Sequence, residues 1–230
     1  MFHIIIYSRL SSSRLKRKAI IKLSNKKRLI DQIINQAKKI TSPKKIIIAT
    51  TTNKEDRIFC KIAKKHKINC FQGSQNNLVK RTKDCCEKFK IEYFLRYCGD
   101  RPLVDIKKIR KCFREIKNKK KSFDLMTTNY NKTKIDKGFT IEIFNARFFK
   151  NFEYNKISKD HKEHLANYIY QNSNLYKIKK IKSSSLFMKG RKYTIDNSND
   201  LKRMNFILRN YNNKKIENII SLYSKYEKLG

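Results

Sequence analysis

The sequence predicts an α/β fold, a mixed and mostly parallel sheet with helices on both faces. Two observations carry that expectation. Short apolar runs of strand length alternate with segments whose apolar residues recur at helical spacing, the pattern of parallel strands joined by helical crossovers. With five glycines and two prolines among 230 residues, no linker or internal repeat divides the chain. Residues 1–230 therefore read as a single domain with a full core.

The elements follow in order. Strands are expected at Phe2–Tyr7, Lys45–Ala49, Ile68–Phe71, Tyr93–Tyr97 and Leu125–Thr128. Leu29, Ile30, Ile33, Ile34, Ala37 and Ile40 share one helical face. Ile106, Ile109, Cys112, Phe113 and Ile116 share another, behind Asp105, an acid suited to the positive end of a helix. After Thr128 the rhythm changes. A polar loop over 129–136 leads to a strand over Gly138–Phe144, then to helices around Ala146–Phe152 and Lys159–Gln171. Strands near Leu175–Ile181 and Lys192–Ile195 precede two closing helices, Leu201–Tyr211 and Ile216–Leu229. The aromatic group Phe144, Phe148, Phe149 and Phe152 reads as core.

Lys and Arg number 57 against 19 Asp and Glu, a net charge of +38. Such a balance ordinarily points to nucleic acid. Here the cations punctuate every helix and loop, with denser runs at Lys117 to Lys121 and Lys177 to Lys182. No nucleic-acid-binding motif accompanies them, and aromatics are not interleaved with Arg as a single-strand platform requires. Weak, salt-sensitive attraction of polyanions is expected, without a specific nucleic-acid partner. Cys60, Cys70, Cys85, Cys86, Cys98 and Cys112 show no CxxC pair or metal-ligand spacing. They read as small hydrophobes in a reduced, cytoplasmic protein. The apolar runs are too short for a signal peptide or a bilayer span, so no membrane partner is expected.

Chemistry concentrates at strand ends. Ile4-Ile5-Ile6 feeds into Tyr7-Ser8-Arg9-Leu10-Ser11-Ser12-Ser13-Arg14-Leu15-Lys16-Arg17-Lys18. Arg forks grip phosphate oxygens in pairs, and hydroxyls and backbone N–H groups fill the remaining acceptor sites; a solvated basic turn is the plain alternative. Asp100 follows the strand ending at Tyr97, and Asp196 follows the one ending at Ile195. Ligands of open α/β sheets bind beyond the carboxyl ends of strands. Two aspartates there, beside a polyphosphate grip, offer what Mg²⁺ needs: few protein oxygens, the rest from phosphate and water. Asp196 could instead cap the helix before Leu201, a role open also to Asn197, Ser198 or Asn199.

These segments, taken together, resemble the cytidylyltransferases of the CMP-Kdo and CMP-sialate synthetase type, nearest the branch typified by spore coat polysaccharide biosynthesis protein F. The opening loop resembles ARxxSxRLPGK, and Ile48-Ala49-Thr50-Thr51-Thr52-Asn53-Lys54-Glu55-Asp56 resembles VATSTNxED. Phe71-Gln72-Gly73-Ser74 with Arg81 resembles FRGSxxDVLxR, and Gly99-Asp100-Arg101-Pro102-Leu103 resembles GDxPL. Gly138-Phe139-Thr140-Ile141-Glu142 resembles GLDVE. Glu163-His164 with Tyr168-Ile169-Tyr170 resembles EHVTPYIY, and Thr194-Ile195-Asp196 with Asp200-Leu201 resembles TVDTxEDL.

The resemblance implies a Rossmann-like nucleotide-diphospho-sugar transferase fold and transfer of CMP from CTP to a sugar hydroxyl, with pyrophosphate leaving. By the same resemblance Arg9, Ser12, Arg14, Lys18 and Arg81 would bind the nucleotide. Arg14, Lys18 and Asp100 would carry catalysis, Asp100 and Asp196 would hold Mg²⁺, and Glu142, Glu163 and His164 would face the sugar. The sugar would be acidic or modified, for a surface polysaccharide or glycoconjugate. Dimerisation is common among the related synthetases, and no segment here marks an interface. His161 and His164 would share a helical face, but a zinc site lacks a third ligand in register.

Three departures accompany the resemblance. Lys16-Arg17 stands where the pattern has Pro-Gly, so a reshaped loop is expected, since Gly tolerates backbone that Arg resists. Thr140 replaces an Asp, and Lys80 stands where an Asp often precedes Arg81. They leave open a member that binds nucleotide without turnover.

Overall fold

The computed structural model describes residues 2–229 except 13, 119–121, 130–133, 151, 154–156, 165, 184 and 212–215. Ser13 of the opening loop, the end of the Lys117 to Lys121 run and half of the polar loop thus lie outside the described residues. So do residues 151 and 165, within two expected helices.

The first half alternates as expected: β1 (Phe2–Tyr7), α1 (Leu29–Lys38), β2 (Ile46–Thr51), α2 (Arg57–Lys65), β3 (Asn69–Gly73), α3 (Leu78–Lys88), β4 (Tyr93–Cys98) and α4 (Ile106–Asn118). The second half holds β5 (Leu125–Thr127), β6 (Glu142–Asn145), α5 (Arg147–Lys150), α6 (Lys159–Glu163) and α7 (Asn167–Gln171). After these come β7 (Ile178–Lys180), α8 (Ser198–Asn210) and α9 (Glu217–Glu227).

The seven strands form one sheet in the order β3-β2-β1-β4-β6-β5-β7. Strands β3, β2, β1 and β4 are parallel, and β5 pairs parallel with β7; β6 runs antiparallel to both of its neighbours. Strand β1 lies inside the sheet, which explains its unbroken Ile4-Ile5-Ile6 run: both of its faces are covered and all three residues are fully buried. Ile4 and Ile6 join Ile33 of α1, Phe59 of α2, Ile109 of α4, Met204 of α8 and Ile219 of α9 in one core. Ile5 and Tyr7 join Val79 of α3, Phe149 of α5 and Ile169 of α7 in the other.

Four expectations give way. The strand proposed for Lys192–Ile195 is a single bridge, Lys137 to Lys192. Its amides serve two different segments, Tyr193 N donating to Lys137 O at 2.7 Å and Ile195 N to Asp100 O at 3.0 Å. The strand expected over Gly138–Phe144 begins only at Glu142, because Gly138 turns at φ 110° with its Cα against Tyr193, where a Cβ would lie 3.1 Å from the Tyr193 Cβ. The helix Lys159–Gln171 breaks at His164, whose backbone leaves helical values (φ −108°, ψ 81°), giving α6 and α7. Finally, not every cysteine is a free thiol: Cys60 of α2 is bonded to Cys70 of β3, with Cα atoms 5.2 Å apart. Ten residues separate the pair, and the α2–β3 turn folds them together; Cys85, Cys86, Cys98 and Cys112 remain free.

Candidate active site

Strands β1 and β4 are neighbours, and the chain turns outward from them in opposite directions, toward β2 and β3 on one side and β6 on the other. A crevice opens beyond their carboxyl ends at such a switch point. Gly99 fixes how closely the two ends approach. Its N–H donates to Tyr7 O at 2.9 Å, and a Cβ at Gly99 would sit 2.6 Å from that same oxygen. Asp100 is thereby held against the root of the opening loop.

That loop is braced from outside. Leu10 is buried, and its N–H donates to Asp56 Oδ1 at 2.8 Å, while the Thr51 hydroxyl donates to Oδ2. The segment 48–56 therefore buttresses the loop, a role for Asp56 that its sequence position did not announce. The loop ends in a short 3₁₀ turn, Lys18–Ile20, entered through Arg17 at φ 52°, ψ 29°. Arg17 thus adopts left-handed backbone, the conformation that a Gly takes more readily.

The resulting cleft, of about 350 Å³, is lined by Arg9, Ser12, Arg14, Lys18, Arg81, Asp100, Glu163 and His164, eight of the ten residues singled out in the sequence. Asp196 stands beside it, joined to the loop by Lys18 Nζ at 3.1 Å and Arg14 Nη2 at 3.4 Å. Lys192 Nζ, unforeseen in the sequence, reaches it from the other side at 3.3 Å. Burial would raise the Asp196 carboxyl, but Lys18 and Lys192 outweigh it and hold the group below the usual carboxylate range. Asp196 is free for this because Asn197 takes the cap of α8, accepting from Asp200 N at 2.9 Å.

Arg81 is a buried cation in the cleft wall. It is 4 % exposed, and its Nε and Nη1 have no hydrogen-bond partner. Burial pushes its guanidinium below the ordinary Arg value, yet Arg stays charged in proteins. A desolvated, unpaired cation facing a cleft awaits an anion. Gly73 makes room for it: a Cβ there would meet Arg81 Cγ at 2.9 Å. Asp100 Oδ1 is likewise buried without a partner. Gln75, Asn76 and Cys98 complete parts of the wall; their places beside the Gly73 and Gly99 motifs were the signal that could have found them.

Glu142 is not brought to the cleft. It is buried at the edge of the β4–β6 ladder, ion-paired with Arg96 and accepting from Tyr170 Oη at 2.9 Å. Burial would raise its carboxyl, but Arg96 and Arg101 hold it low. The two histidines also separate once α6 ends between them. His161 hydrogen-bonds with Gln171 Oε1 at 2.6 Å, while His164 lines the cleft. Glu163 pairs with Arg9 at 3.5 Å across its mouth. Among the described residues no group of three or more His, Cys, Asp or Glu is set to hold a metal ion.

A mostly parallel α/β sheet whose switch point opens on a cation-lined cleft, with Asp100 Oδ1 buried beside it, defines the class, a Rossmann-like nucleotidyltransferase. The sequence pattern of the cytidylyltransferase family matches residues 3–229, and the chain belongs to that family. Nucleotidyl transfer is therefore its class of chemistry. The chain is similar to an uncharacterized protein of Methanocaldococcus jannaschii, 30 % identical over 199 residues that cover 86 % of this chain and 79 % of that one. Among solved structures it resembles a cytidylyltransferase from Leptospira borgpetersenii, with 21 % identity, 99 % and 94 % of the two chains covered and a TM-score of 0.86. It also resembles a CMP:2-keto-3-deoxy-manno-octonic acid synthetase complexed with CTP, at 12 % identity, 90 % and 98 % coverage and a TM-score of 0.66. At these identities the structural likeness is one of fold.

Proposed function

We propose that the protein transfers CMP from CTP to a hydroxyl of an acidic or modified sugar, for a surface polysaccharide or glycoconjugate. The observation that carries this reading is the convergence of Arg9, Arg14, Lys18 and the unpaired Arg81 on one cleft beside Asp100. The sugar oxygen bonds to the α-phosphorus, the Pα–O–Pβ bond breaks, and pyrophosphate leaves with the electron pair while the hydroxyl proton passes to solvent. Positioning and charge neutralisation supply most of the rate in such a displacement. Arg9, Arg14 and Lys18 hold the triphosphate, and Arg81 meets its charge from the β3–α3 wall. Glu163 and His164, which line the same cleft, would face the sugar.

Asp100 and Asp196 fit a divalent cation, Mg²⁺. One offers a buried, unpartnered oxygen and the other is held as the carboxylate, and two protein carboxylates leave the remaining positions to phosphate and water. Bound there, the ion would neutralise phosphoryl charge and lower the pKa of the attacking hydroxyl. No described helix is long and apolar enough to cross a membrane. We place the reaction in the cytoplasm; the bond between Cys60 and Cys70 would there be open to reduction.

The test is pyrophosphate release with CTP and Mg²⁺ across 2-keto acid sugars and related monosaccharides. One sugar should support turnover, and Asp100→Asn should lower it by about a hundredfold or more with thermal stability unchanged. CTP that protects the fold while no sugar supports release would favour a binding-only member. Absence of CTP protection would sink the reading.

A further inference from the structure

Three residues beyond Asp100 the chain becomes the wall of a second cavity, about 720 Å³, which shares no lining residue with the cleft. Its apolar wall includes Leu103, Ile106, Phe187, Ile216 and Ile219, with Leu186, 42 % exposed, at the rim. Its charge is one-sided. Lys107, Arg110, Lys111 and Arg114 recur at i, i+3, i+4 and i+7 along α4, so they form one exposed face. Lys39 and Lys108 add to the same lining.

Two acids face these six cations, Asp105 and Glu217, and Asp105 Oδ1 already accepts the Lys108 N–H at 2.9 Å as the cap of α4. Elsewhere on the surface cations find carboxylates, as Lys80 does with Asp84 and Arg28 with Asp31, and the acid of α4 itself, Glu115, is taken by Lys179 of β7. None of Lys107, Arg110, Lys111 and Arg114 has an ion pair among the described residues, and Arg110 Nη2 donates to Lys39 O. Like charges at helical neighbour spacing repel, and an apolar wall beside them raises the attraction of an anion that can be partly desolvated.

We propose that this cavity is a second binding site, for an organic anion with an apolar or aromatic body. Its acidic group would lie on Lys107, Arg110, Lys111 and Arg114, and its body against Leu103, Phe187, Ile216 and Ile219. The volume is that of a small-molecule site. An alkyl phosphate and an aromatic nucleoside monophosphate share this chemistry.

The experiment is a fluorescence titration of the whole protein with 8-anilinonaphthalene-1-sulfonate, an anion with an aromatic body. Saturable binding is expected, weakened about tenfold or more by Lys107→Glu with Lys111→Glu, as loss of charge-assisted contacts requires. Lys107→Arg with Lys111→Arg should retain it. Lys64→Glu with Lys65→Glu on α2, the same change in net charge placed elsewhere, should retain it too. Displacement by dodecyl phosphate would identify an aliphatic ligand, and displacement by CMP a nucleotide. No saturable binding, equal weakening by the α2 pair, or displacement by neither compound would overturn the proposal.

Discussion

Arg17 is a residue with a Cβ that enters the turn at Lys18 through left-handed backbone. Its left-handed backbone costs a residue with a Cβ roughly 1–2 kcal/mol, yet the turn still delivers Lys18 to within 3.1 Å of Asp196. Arg17→Gly should stabilise the fold by about 0.5–1 kcal/mol, since the relieved strain exceeds the added chain entropy; a lower melting temperature would refute this. Arg14, largely exposed and linked to Asp196, should matter through CTP. Arg14→Ala should raise KM for CTP about tenfold, the loss of one charge-assisted contact, and an unchanged KM would remove Arg14 from the site. Gly99→Ala should cost about 1–3 kcal/mol, because its methyl would press on Tyr7 O at 2.6 Å; denaturant unfolding measures it.

At the scale of elements, α8 ties the site to the tail of the chain. Asp200 completes the capping box with Asn197, accepts the Asp196 N–H at 2.9 Å and pairs with Lys192 and Arg203. Burial would raise its carboxyl, but Lys192, the Asp196 amide and Arg203 bring it below the usual range. A depressed folded pKa gives stability that is full above the unfolded value near 4 and is lost as pH falls through the folded one. Asp200→Asn should therefore cost about 2–3 kcal/mol at neutral pH and make the fall in melting temperature below pH 4 shallower. An unaltered acid limb would exclude Asp200 from that role. The sequence exposed the elements whose information is local. The run Ile4–Ile6, the periodic faces of α1 and α4, and the loops after β1 and β4 were all legible because contiguous residues encode them. The burial of Glu142, the break at His164, the bond between Cys60 and Cys70, and the part of Lys192 were not. Each depends on which distant segment arrives beside it, and no spacing within one segment records that.

The whole molecule carries +38, and a cleft lined by Arg9, Arg14, Lys18 and Arg81 concentrates part of it. Such a field would draw the proposed CTP in, so kcat/KM for CTP should fall several-fold between about 0.01 M and 0.15 M salt as screening shortens its reach from about 30 Å to about 8 Å. A rate indifferent to salt would mean that local contacts alone set capture. Binding to nucleic acid should collapse over the same range. One consequence concerns the order of synthesis. The loop at residues 8–18 is anchored from residue 196, and Ser24 is fastened to Asn205 by bonds of 2.8 and 3.0 Å. At roughly 5–20 residues per second, translation places about 10–40 s between the loop and these fastenings. During that interval a nascent chain has the cations of that loop without the carboxylate that pairs with them, and it attracts anions as an unfolded basic segment.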